Sequence, residues 1–344
     1  MYKFIFLAFC LISCATPTQK TTKDNNLVLF CNIFTMEGKL LRRDPGGMCA
    51  YEDDGHLLMS NTQNNELAFY NQRMQSLWKL PLHIHHQINK DSVGNFLVLT
   101  SESKIYREIK TRFDRLVKIN KEGQIIGHFS FYEHQGELLE FLNKKRFNFY
   151  NYNWDKENLN LGTSEISHAN SFYEIQKNAK SDLYPELKAG NFFVNINILN
   201  LFIILDPTMT KIIKMIDRPS ETDLMHDAQI TKDGDILLYN NLISEIHPSH
   251  SELQLYSYPD LKMKWSYTRK TDNFNYPYCG SLQLLGNDQM LFTDIRDTFS
   301  KAILLDMKSN QELKIINPEG WEKQGTQQIK MQDLSGFLKN NKGI

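Results

Sequence analysis

The sequence has no excess of charge of either sign, few cysteines, and an N-terminal apolar run too short to cross a membrane. Lys and Arg together number 39 and Asp and Glu 40. That balance gives nucleic acid nothing to hold, so no nucleic-acid partner is expected. The five cysteines show no CxxC or zinc-finger spacing. No GxSxG elbow is present, which removes the usual signature of Ser-His-Asp catalysis. The apolar stretch runs only from Phe4 to Ile12, whereas a spanning helix needs about 20 such residues.

What that stretch does match is the h-region of an export signal, with Lys3 as its positive flank. It ends in Leu11-Ile12-Ser13-Cys14, which resembles a bacterial lipobox. The expectation is a signal peptide over residues 1–13 and a lipidated Cys14 that anchors the chain to a membrane. No Asp follows that cysteine, so the outer membrane is favoured over retention at the inner one, on its periplasmic face or at the cell surface. Residues 14–26 are rich in Thr, Lys and Gln without apolar periodicity, as a flexible tether would be. An exported chain can keep a disulfide, and Cys31 with Cys49 is the expected pair, leaving Cys279.

Residues 27–344 read as one domain, and aromatics at 12% suit strands. A loose repeat runs through it: a polar turn, two apolar strands, a second turn, and a strand that twice carries Trp. The turns fall at Asp53-Asp54-Gly55, Asp91-Ser92-Val93-Gly94, Gly190-Asn191, Asp233-Gly234 and Gly286-Asn287-Asp288. Gly55 and Gly94 are 39 residues apart, and Gly190 and Gly234 are 44 apart. Units of about 40–50 residues with three or four strands are the signature of propeller blades. Five copies are visible. A sixth arises if a strand near Gln327 to Met331 pairs with strands around Leu27 to Leu40, which removes an open sheet edge. The expected fold is all-β, a six-bladed β-propeller, with five or seven blades as the alternatives. Residues 131–160 break the period and read as one inter-blade insertion, helical over Glu137 to Lys145. Trp78 and Trp265 fall at matching positions and read as packing residues.

The histidines follow the repeat. His83, His85 and His86 lead into the second unit, His168 into the third and His226 into the fourth. In a propeller the segment entering each blade borders the central channel, so these residues can share one pocket. His83 and His85 would face the same way on a strand and so suit a metal. No carboxylates cluster with them in sequence, and no metal or cofactor is expected.

The contexts His168-Ala169-Asn170-Ser171 and His226-Asp227-Ala228-Gln229, the latter followed by Asn240-Asn241, resemble the arylsulfotransferase family. The resemblance covers roughly residues 78–315, in order. It implies a six-bladed propeller that moves a sulfuryl group from an aryl sulfate donor to a phenolic acceptor, without a nucleotide, through a sulfated histidine. By position it implies that His226 attacks, that His168 holds the sulfuryl group, and that His86, with His85 beside it, fills the first histidine position. Asp227 and Asn170 would orient these groups. A neutral imidazole is a competent nucleophile near neutral pH. One position departs from the pattern: Asn197 stands where the family has a sulfate-binding arginine. Losing a charge aimed at the transition state costs about 3 kcal/mol by analogy with oxyanion-hole deletions. A propeller that only binds a ligand or a protein in its channel therefore stands as the alternative function.

Overall fold

A computed structural model describes residues 25–338 apart from 62–63, 107, 145–163, 220–221, 223, 243–249, 270–278, 287, 296–299, 321–328, 333 and 335–337. The signal-like stretch, Cys14, nearly all of the tether and most of the insertion lie outside the described residues. No described helix is long and apolar enough to cross a membrane.

The chain forms six antiparallel sheets arranged as a six-bladed β-propeller. Within each blade the chain zigzags outward, so the first strand is innermost. Those first strands are Cys49–Tyr51, Ile84–Lys90, Ala169–Glu174, Leu224–Ile230, Leu282–Leu284 and Ile329–Gln332 in blades 1 to 6. Blade 6 closes the ring as expected: Ile329–Gln332 pairs with Asn26–Leu29, with Met331 opposite Leu27. The Cys31–Cys49 disulfide joins that closing blade to blade 1.

The strand sequences explain the stacking. Middle strands such as Phe192–Ile196 and Leu201–Leu205 are buried along their whole length. Alternate side chains serve opposite neighbours: Val194 and Ile203 pack toward blade 2, Phe193 and Phe202 toward blade 4. One apolar cluster of this kind fills each blade interface. Continuous apolar runs are what a strand buried on both faces requires. The repeated turns need positive φ, and Gly55, Gly94, Gly190 and Gly234 supply it at 94°, 89°, 92° and 75°. In blade 5 Asp288 takes that place at 58°.

Trp78 and Trp265 stand on outermost strands, and each reaches the next blade. Trp78 Nε1 donates to Lys121 O at 2.8 Å and Trp265 Nε1 to Asn310 Oδ1 at 2.7 Å. The insertion begins with a helix, Gln135–Lys144, whose Leu138 and Leu142 pack onto the interface of blades 2 and 3.

Replacing Cys31 and Cys49 together by serine is expected to cost about 3 kcal/mol, the amount typical for a loop of this size. Denaturant unfolding of oxidised wild type beside the double variant measures it. Unchanged stability would show that strand pairing alone closes the ring.

Candidate active site

In a propeller, the edge of each inner strand that faces the axis has no partner strand, so its backbone groups need other partners. Polar side chains supply them around the ring. Asn89 Nδ2 donates to Phe172 O at 2.9 Å, and Asn170 Nδ2 to Met225 O at 2.6 Å. Gln229 Nε2 donates to Leu282 O at 2.9 Å, Gln283 Nε2 to Met331 O at 3.4 Å, and Gln332 Nε2 to Tyr51 O at 3.2 Å. Lys90 Nζ closes the circle on Tyr51 O at 2.9 Å.

The histidines sit where the inner strands of blades 2, 3 and 4 enter this ring. Each of those strands has its register broken there by a bulge, between Ile84 and Ile88, Ala169 and Ser171, and Met225 and Asp227. Bulges re-aim side chains beside functional sites. His86 and His168 also hold φ of 62° and 49°. Such a backbone costs on the order of 1–3 kcal/mol in a non-glycine residue and persists only where the surroundings impose it.

Two of the expected residues touch directly. His86 Nε2 lies 3.2 Å from His168 Nε2, the rings meeting edge to face with centroids 4.9 Å apart. His85 packs edge-on against His86, also at 4.9 Å. His226, 6% exposed, follows Met225, whose carbonyl accepts from Asn170 Nδ2 on the strand that His168 leads into.

Two carboxylates that the sequence reading did not select stand against these histidines. Glu165 Oε2 lies 3.1 Å from His168 Nδ1, and Asp114 Oδ1 lies 3.0 Å from His85 Nε2. Burial pulls the His168 pKa down, but the bond and charge of Glu165, with the charge of Asp114, outweigh it and raise the value above the ordinary one. His86 goes the other way. Burial, then the charges of His85, His168, His226 and Arg112, hold it well below the ordinary value. A contact between two Nε2 atoms needs one proton, and the opposite directions of these shifts favour His168 as its donor and His86 as its acceptor.

Arg112 stands in this cluster too, with Nε 3.0 Å from Glu165 Oε1. It brings from blade 2 a positive charge that the Asn197 position lacks, although Glu165 balances it. Asn197 is buried next to His168: its backbone N–H donates to His168 O at 3.0 Å, and its Oδ1 has no partner among the described residues.

The two remaining expected residues work through the backbone. Asn170 holds the carbonyl of Met225, the peptide that carries His226. Asp227 accepts from Tyr173 OH, Ser281 Oγ and Leu282 N at 3.2, 3.2 and 3.1 Å, tying blades 3, 4 and 5 together rather than orienting a histidine. Burial raises its carboxyl to about 7. The group on His226 itself is Asn241, whose Nδ2 lies 2.8 Å from His226 Nδ1 and also donates to Cys279 O at 3.0 Å. The Leu224 carbonyl is the competing partner of Nδ1, at 3.3 Å.

Some of these residues left a trace in the sequence. Glu165 stands three before His168, and Asn241 lies in the Asn-Asn pair that carried the family resemblance. Arg112 and Asp114 left none. They reach the cluster because the second and third strands of blade 2 run for 11 residues each, beyond the 7 of its inner strand. Among the described residues no group of three or more His, Cys, Asp or Glu side chains is arranged to hold a metal.

Comparison with known proteins bears on the fold. No protein-family model and no curated protein matches the chain. A protein of unknown function from Bacteroides caccae is similar in structure, with a TM-score of 0.51 at 12% identity, over 87% of this chain and 97% of that one. A catalytically inactive virginiamycin B lyase from Staphylococcus aureus, with quinupristin, gives 0.44 at 10% identity over 86% and 75%. A functionally unknown protein from Desulfotomaculum acetoxidans gives 0.44 at 7% identity over 89% and 98%. At such identities the likeness concerns the fold alone.

The charge assignment is testable. Imidazole 15N spectra across pH should show His168 titrating above the ordinary range and His86 staying neutral, with Glu165→Gln lowering the His168 value. The stability signs are opposite. The raised His168 contributes stability that is complete below its unfolded value, about 6.5, and is lost as pH rises through its folded value. The depressed His86 contributes stability that is present above about 6.5 and lost as pH falls. Glu165→Gln should therefore destabilise most on the acid side of about pH 6.5, down to the range where Glu165 itself protonates. A pH-independent loss would refute the pairing.

Proposed function

We propose that the chain is an aryl-sulfate sulfotransferase whose group carrier is His226. The observation that carries this reading is the 3.2 Å contact of His86 with His168, whose pKa values are shifted in opposite directions, beside a strand whose Met225–His226 peptide is held by Asn170. In the first step the Nε2 lone pair of His226 attacks sulfur, and the sulfur–oxygen bond to the aryl group breaks. The electron pair leaves with the phenolate. The Nε2 proton of His168, which the resting site directs at His86, is the one suited to that oxygen, and Glu165 favours the charged form that supplies it. In the second step the acceptor phenol oxygen attacks sulfur, the sulfur–nitrogen bond breaks and its pair returns to Nε2. The acceptor's proton passes to His86, whose lowered pKa favours the neutral form, and on to His168 across the 3.2 Å contact, which restores the starting state.

This chemistry requires the proton of neutral His226 on Nδ1, as donation to the Leu224 carbonyl provides. Asn241 at 2.8 Å favours the opposite tautomer, with the proton on Nε2. That observation supports a second reading, a propeller that binds a ligand or protein in its channel without turnover. We also propose export and lipidation at Cys14, with attachment to the outer membrane. The Cys31–Cys49 disulfide supports an oxidising compartment.

Signal-free protein mixed with p-nitrophenyl sulfate and a phenol should release nitrophenol in an acceptor-dependent way, and His226→Ala should abolish release. Asn197→Arg should raise the rate by around a hundredfold, the equivalent of about 3 kcal/mol. No release above the His226→Ala control, with both proteins folded, selects the binding reading.

A further inference from the structure

The channel holds a second feature that the histidine chemistry does not use. A cavity of about 320 Å³ lies on the axis, lined by residues from the inner strands of all six blades and by none of the histidines. That volume falls at the lower end of the range for small-molecule sites.

Two lysines reach it, and they differ. Lys90 is ion-paired, its Nζ lying 2.6 Å from Glu52 Oε1. Lys330, on the closing strand, donates to Ile88 O at 2.7 Å, and no ion pair reaches it among the described residues. A lysine deep in a protein without a carboxylate is costly in its charged form. Accordingly, burial and then the charge of Lys90 push its pKa down to about 7, against the opposing pull of Asp227. The other titratable groups around it are Tyr173 on blade 3 and Tyr51 on blade 1. The rest of the wall is amide-rich. Asn89, Gln229 and Gln332 each give an N–H to a carbonyl of a neighbouring strand, so their remaining capacity is weighted toward the acceptor oxygen, whereas the Gln283 amide is engaged at both ends with the Met331 backbone. Acceptor oxygens match hydroxyl donors.

We propose that this axial cavity is a second ligand site, which takes a small polyhydroxylated carboxylate of the sugar-acid class, its anionic group on Lys330 and its hydroxyls on the surrounding amides. Binding would restore the charge of Lys330, so the ligand and a proton enter together above neutral pH.

Calorimetric titration of the signal-free chain with sodium gluconate tests this, beside glucose and inorganic sulfate. Gluconate should bind, with glucose and sulfate each at least tenfold weaker. Affinity should fall as pH rises from 6 to 9. Lys330→Met should weaken gluconate tenfold or more, and His226→Ala should leave it unchanged, which separates this site from the histidine cluster. Wild type alone offers a check that needs no folded variant: heats in two buffers of different ionisation enthalpy at pH 8 should reveal net proton uptake. No gluconate binding, sulfate binding as tightly, loss in His226→Ala, or binding without proton uptake would each overturn the proposal.

Discussion

The constraint on which the rest of the structure depends is the free edge of the innermost strands. A six-bladed ring buries its apolar side chains between blades, but it leaves the axial backbone of every blade without a neighbouring strand. The Asn, Gln and Lys side chains that bridge from blade to blade answer that need. A buried amide or carbonyl left unpaired costs about 1–3 kcal/mol, so the ring cannot be replaced by apolar packing. The channel is therefore polar by necessity, and a polar channel is a place where charged and hydrogen-bonding ligands can be held.

The histidine cluster grows from the same constraint. Bulges interrupt the entry of three inner strands where His86, His168 and His226 stand; His86 meets His168 there, and Asn170 fixes the peptide that carries His226. Carboxylates from the long strands of blade 2 and from Glu165 then divide the roles. The pKa of one imidazole is raised and that of its neighbour lowered, 3.2 Å apart. Environments that push two like groups in opposite directions are how a fold obtains an acid and a base from one residue type.

Much of this was legible in the sequence. The blade period, the closing pair of terminal strands, and the Cys31–Cys49 link follow from turn spacing, edge burial and compartment chemistry, and all three stand in the structure. The meeting of His86 with His168 followed from their equal place in the repeat. The charge environment was far less legible. Arg112 and Asp114 act through register, since pairing of Asp114 with Ser101 along an extended hairpin brings them to the cluster. Register is a property of paired strands that no local pattern exposes. Asp227 illustrates the opposite failure: the family resemblance implied an orienting role, but past the bulge between Met225 and Asp227 its carboxylate accepts from Tyr173, Ser281 and Leu282 instead.

The central claim is that His226 carries the transferred group, with His168 and His86 managing its protons. The most direct measurement is peptide mass mapping of protein mixed with an aryl sulfate in the absence of acceptor and quenched in alkali, where a sulfated imidazole survives. The predicted result is the mass of one sulfuryl group on the peptide containing His226, lost on adding a phenol. A folded protein that gains no sulfuryl group, or gains it on another residue, would contradict the claim.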